Sequence, residues 1–143
     1  MAHAFNPEHL QGFAGTWTIS AVHALLPGEP INGQATFEWL ADGPFLVHRS
    51  RFDHPEIPDA LTVIGVVGGR SCMTYFDARG VHRSYDVETR DGVLRYALTS
   101  PGFSQRYVAE LDTGRDVIEA SGELCQDGTT WQEDLTLTYR RVS

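Results

Sequence analysis

The sequence predicts an all-β protein: a ten-stranded antiparallel up-and-down closed barrel, with a short N-terminal helix plugging one end. Three observations carry this. Turn signals recur at regular intervals, as ADG (41–43), ARG (78–80), RDG (90–92), SPG (100–102), TGRD (113–116) and QDG (126–128). Each supplies a residue that tolerates positive φ or presets a turn. The segments between them alternate in polarity and are rich in β-branched and aromatic residues. Only one helix is signalled, near 7–13.

That helix has Asn6 as a capping residue and Pro7 in its first turn, where a missing N–H costs nothing. Strands follow at about 16–24, 33–40, 45–52, 61–67 and 71–77, then at about 81–89, 93–99, 103–111, 117–125 and 130–141. A ten-strand meander leaves two exposed edges unless it closes on itself, so a barrel is expected over two sandwiched sheets. Residues 1–143 read as a single β-barrel domain, without internal repeat, linker or low-complexity segment.

Composition narrows the partners. Net charge is −8, and all eleven basic residues are arginine. An acidic chain without a basic run suits neither nucleic acid nor an anionic membrane surface. The N-terminal MAHAFNPEHLQGFAG lacks a positive region and a continuous apolar core, so no signal peptide is expected. No apolar run reaches the roughly 18 residues of a membrane span. Cys72 and Cys125 show no metal-ligand spacing and read as reduced thiols. A cytoplasmic monomer or homodimer is expected.

The segment Gly15-Thr16-Trp17, after a short helix and opening the first strand, resembles the GxW signature of lipocalins and other calycins. In that superfamily the tryptophan packs at the closed end of the barrel beneath an arginine from the last strand, and this chain ends Tyr139-Arg140-Arg141. The ten-strand plan is similar to fatty-acid-binding proteins, to small bacterial nitrobindin-like barrels and to uncharacterised bacterial barrels sharing YFDxRGVxRxY. The resemblance implies a lumen that holds a small hydrophobic molecule. Haem, which nitrobindins bind through a late histidine, is not implied, because no histidine follows His82. No cofactor is expected.

Meander parity gives the barrel a mouth. The connections 25–33, 53–60, ARG, SPG and QDG share one end, and the two longest, proline-bearing loops are among them. Long loops on a rigid scaffold are where binding usually sits.

The hairpin TYFDARGVHRSYDV (74–87) belongs to that end. With Ala78-Arg79-Gly80 as its loop, Tyr75 faces Arg83 and Phe76 faces His82. Alternation then puts Met73, Tyr75, Asp77, Val81, Arg83, Tyr85 and Val87 on one face, which is the more apolar and hence the lumen face. His82 falls outside. Arg83 needs a counter-charge there, supplied by Asp77 or by a ligand anion, with tyrosine hydroxyls completing the fork. Fatty-acid-binding proteins hold carboxylates with an Arg-x-Tyr pair on another strand, so the likeness is one of type.

The other ligand-binding candidates are His23 and His48 on inward faces, Tyr96 and Tyr107 in the aromatic set, and Phe103 and Trp131 at the starts of mouth-side strands. Trp39 falls at the plugged end. His23, His48 and His54 lack strand spacing for a shared metal, so no metal site is expected. No nucleophile elbow, phosphate loop or dinucleotide fingerprint occurs. The chain thus reads as a binder of a small, largely hydrophobic ligand that can carry an anionic group. A cyclase, isomerase or hydrolase acting on a hydrophobic metabolite is the alternative, and a haem protein comes third.

Overall fold

A computed structural model describes residues 5–24, 26–29 and 31–143. Ten strands follow a 3-10 helix at Pro7–Phe13: β1 (Gly15–His23), β2 (Ile31–Trp39), β3 (Leu46–Phe52), β4 (Ala60–Val67), β5 (Arg70–Asp77), β6 (His82–Arg90), β7 (Val93–Ser100), β8 (Phe103–Leu111), β9 (Val117–Cys125) and β10 (Trp131–Arg141). Each pairs antiparallel with the next, and β1 closes the barrel against β10, from Trp17 opposite Arg141 to His23 opposite Leu135. Closure leaves no edge strand among the ten, which removes the unpaired N–H and C=O rows of an open meander.

The expected strands are all present, most within two residues of their bounds. Two local differences appear. The helix is of the tighter 3-10 type, and a second 3-10 turn at Leu40–Asp42 ends β2, with Ala41 in a left-handed conformation (φ 48°). Residues Leu25 and Pro30 of the first mouth loop lie outside the described residues.

The closed end is built around the helix. The side chain of Asn6 accepts from the backbone N–H of Glu8, and Leu10 and Phe13 are fully buried. Phe13 meets Phe37 of β2 edge-on, with ring centroids 5.5 Å apart. Trp17 is also fully buried, and its indole N–H donates to the Phe13 carbonyl at 2.9 Å. Arg141 lies over that indole, Cζ to centroid 4.3 Å, and donates to the carbonyls of Gly12, Ala14 and Arg115. One guanidinium therefore covers the tryptophan and satisfies orphan carbonyls around the plug.

One irregularity shapes the interior. Between Glu133 and Thr136, β10 carries a bulge: Asp134 and Leu135 together oppose Gly122 of β9. Such an extra residue reverses inward–outward parity on one side of it.

Candidate functional site

The barrel encloses a cavity of about 330 Å³. Small-molecule sites run from roughly 300 to 1,000 Å³, so the volume suits a small metabolite. Glu56, Ile57 and Pro58 of the second long loop border it, as does Arg79 from the β5–β6 turn. The mouth is therefore at the end opposite the helix. His54, in the same long loop, binds Glu29 of the first long loop, Nε2 to carboxylate 2.6 Å, which ties the two loops together.

The β5–β6 hairpin has the register read from the sequence: Tyr75 opposite Arg83, Phe76 opposite His82, and the Asp77 N–H bonded to the Val81 carbonyl. Tyr75, Arg83 and Tyr85 line the lumen. His82 is exposed and stacks on exposed Phe76 outside, with centroids 5.1 Å apart.

Asp77 does not serve Arg83. Its carboxylate accepts from the Arg79 guanidinium (2.6 Å), from the Arg79 N–H (2.9 Å) and from the Tyr75 hydroxyl (2.7 Å). Those bonds, from Arg79 first, hold the carboxyl well below the usual carboxylate range. Arg83 instead sits between aromatic rings, 5.9 Å from the Tyr75 centroid and 5.0 Å from that of Phe103. Among the described residues no carboxylate lies within ion-pair distance of it.

A connected polar set runs from Tyr85 on β6 through β8 to Asp134 on β10. The Tyr85 hydroxyl donates to the Gln105 carbonyl oxygen at 2.5 Å, and the Gln105 amide donates to Tyr107 (3.3 Å) and Asp134 (3.4 Å). Tyr107 donates a very short hydrogen bond to Asp134, and His23 Nε2 stands 3.6 Å from the other Asp134 oxygen. Tyr96 stacks on Tyr107 at 5.0 Å and meets Tyr85 edge-on at 5.4 Å. Burial pushes the hydroxyls of Tyr85, Tyr96 and Tyr107 up, so all three remain protonated donors.

Nearer the floor, His48 lies flat on Phe37, with centroids 4.2 Å apart, and its Nε2 is 3.5 Å from the Tyr139 hydroxyl. Burial pulls its imidazole down to about 4, which keeps it neutral at ordinary pH. Thr62, opposite His48 on β4, is buried in the wall with a hydroxyl that has no partner.

Eight of the nine candidate residues thus border one cavity: Arg83, Tyr75, Tyr85, His48, His23, Tyr96, Tyr107 and Phe103. Trp131 does not. It pairs with Cys125 on the outer wall, where the Arg106 guanidinium lies 3.8 Å above its ring. The physical reason is the bulge. Counting back in twos from inward Tyr139, Leu137 and Leu135 puts Trp131 inside, and the extra residue at Asp134 turns it out. Reasoning from sequence also passed over Gln105, Asp134, Thr62 and Tyr139. Alternation could have found Thr62 and Tyr139, but nothing local announces the bulge that points Asp134 inward.

The three-histidine reading has no support in the geometry. His54 is bound to Glu29 and His23 faces Asp134, and the described residues hold no group of three metal-capable side chains. The late strands offer haem no nitrogen ligand either. Their lining is Ile118, Ala120, Leu124, Asp134, Leu135, Leu137 and Tyr139, and burial keeps the Tyr139 hydroxyl protonated. Cys72 and Cys125 are buried free thiols, and no helix of the described residues is long and apolar enough to cross a membrane.

No family model matches the chain, and no curated protein matches it. Among solved structures, it is similar to the crystal structure of Rv2717c from M. tuberculosis, with a TM-score of 0.66 and 13% identity over 94% of this chain and 95% of that one. A redesigned β-barrel, b11L5F_LGL, aligns with a TM-score of 0.47 and 15% identity, covering 95% of this chain and 96% of that one. What the chain shares with Rv2717c at that level of identity is a fold.

Proposed function

We propose that this protein is a calycin-like barrel of the cytoplasm that binds a small, largely hydrophobic ligand and holds an anionic group of it on Arg83. One observation carries the reading: a lumen guanidinium near the mouth, braced by two aromatic rings, whose expected same-face partner, Asp77, is held by Arg79. A partly buried cation without a counter-ion is costly, and a ligand carboxylate accepting a bidentate pair offsets that cost. The Tyr75 and Tyr85 hydroxyls donate to Asp77 and Gln105, so the guanidinium itself receives the anion, while Ile64, Met73, Leu94 and Leu137 supply apolar surface.

Native mass spectrometry of protein purified from its own host tests this directly. An acidic, mostly apolar molecule in the wild type, absent from Arg83→Met at equal folding, is the expected result. A ligand retained by Arg83→Met without loss of affinity refutes the anchor.

A barrel enzyme is the second reading, favoured by the Tyr107–Asp134–His23 set at the bulge. A carboxylate between a protonated tyrosine and a histidine is an arrangement that can relay a proton to a bound substrate. Conversion of the co-purified molecule on incubation, lost in Asp134→Asn while binding persists, would favour this reading over simple binding.

A further inference from the structure

Deeper in the lumen, polar groups remain that an anion on Arg83 leaves unused. Thr62 lies within β4, is 5% exposed and lines the cavity, yet its hydroxyl has no hydrogen-bond partner. Its neighbours across the two ladders are His48 on β3 and Tyr75 on β5. Tyr75 is committed to Asp77. His48 is neutral, with a long 3.5 Å contact to Tyr139, and a neutral imidazole keeps one donor and one acceptor.

The register sets the depth of these groups. Arg83, Tyr75, Thr62 and His48 are successive cross-strand partners on β6, β5, β4 and β3. Because barrel strands tilt, such a row runs from rim towards floor. Arg83 is the second residue of β6, just past the mouth turn, while His48 rests on Phe37, which packs on Phe13 of the plug. Two strand spacings of about 4.8 Å put Thr62 roughly 10 Å from Arg83 along the wall. A buried hydroxyl without a partner has given up its bonds to water, so an occupant that restores them gains affinity.

We infer that the ligand carries a second polar group, a hydroxyl or carbonyl oxygen roughly 10 Å from its anion, received by Thr62 and His48. The lumen then fits a hydroxylated or oxo carboxylic acid with an apolar spacer, in preference to a plain one. The inference rests on the reading of Arg83 as anion anchor, and the test below separates the two.

Wild type, Thr62→Val and Arg83→Met are titrated calorimetrically with decanoic acid, ω-hydroxydecanoic acid and decanol. In the wild type the hydroxy acid should bind at least about tenfold more tightly than decanoic acid, since sites built around a hydroxyl reject analogues lacking it. Thr62→Val, nearly isosteric, should erase that preference, leave decanoic acid unchanged and weaken decanol. Arg83→Met should weaken both acids and spare decanol. Equal binding of the two acids by the wild type, or a preference that survives Thr62→Val, overturns the second subsite and leaves the anchor standing. Acids indifferent to Arg83→Met overturn the anchor, and decanol's response to Thr62→Val then decides the subsite alone. Failure of the wild type to bind any of the three refutes both.

Discussion

Gly122 on β9 lies directly across the ladder from Tyr107 on β8, and the Tyr107 ring occupies the space that a Cβ at position 122 would need. On its other side Gly122 faces the β10 bulge. The missing side chain lets the ring lie against the β9 backbone, and the bulge brings Asp134 to the ring's hydroxyl. Glycine weakens a strand interior by itself, so its presence here marks a close approach.

Gly122→Ala is expected to cost about 1–3 kcal/mol by expelling the ring. In a Tyr107→Ala background the same substitution should be nearly neutral, because the clash is gone. Urea unfolding of the four proteins in a double-mutant cycle measures the coupling. Additive costs would mean that Gly122 does not serve Tyr107.

His48 makes stability depend on pH. Its folded value is about 4, below the ordinary histidine value of 6.5, so the unfolded chain binds the proton more readily. Stability contributed this way is complete above pH 6.5 and is lost as pH falls towards 4. The shift corresponds to a loss of about 2–3 kcal/mol across that window. Unfolding free energies at several pH values should show this drop in the wild type and a flatter profile in His48→Phe. Parallel profiles would show that His48 titrates normally.

Trp17→Ala should cost about 3–5 kcal/mol through the cavity it leaves. Arg141→Met removes the cation over the indole and three hydrogen bonds to carbonyls. Bonds from a charged donor contribute about 1.5–3 kcal/mol each, and a loss of at least ~2 kcal/mol is expected. A melting temperature unmoved by either substitution would disconnect the closed end from stability.

Thr62→Val should stabilise the ligand-free protein by about 1–2 kcal/mol, since it removes an unpaired buried hydroxyl without changing shape. Destabilisation instead would mean that the hydroxyl is satisfied in solution, by a bound water for example. The urea midpoint reads the difference.

His82→Ala should leave stability within about 0.5 kcal/mol and ligand affinity unchanged, because its partner Phe76 is exposed on the outer wall. A lost affinity in His82→Ala, with Arg83→Met silent, would put the hairpin inside out.

The barrel was legible because its signals are local and repeated. Each turn carries its own glycine or proline, and closure follows from the cost of leaving edges unpaired. The hairpin faces were legible for the same reason: the three-residue turn at Ala78-Arg79-Gly80 sets the register, and register settles which side chains share a face. Trp17 beneath a C-terminal arginine was available from the GxW segment and the last strand together, although choosing Arg141 over Arg140 required the register of β1 on β10.

Which charges pair, and which residues enter the lumen after an irregularity, only the tertiary structure decided. Alternation put Asp77 on the same face as Arg83, but the turn folds Arg79 back onto Asp77 and leaves Arg83 to the rings. Gln105 and Tyr107 of β8 reach Asp134 of β10 across Gly122 of β9, and His23 of β1 reaches Asp134 only because the barrel closes. The bulge that turns Asp134 in and Trp131 out leaves no mark in the alternation of β10. A period of two specifies faces only while the ladder stays regular, and whether an extra residue is accommodated depends on the strand across from it, here on a glycine at 122.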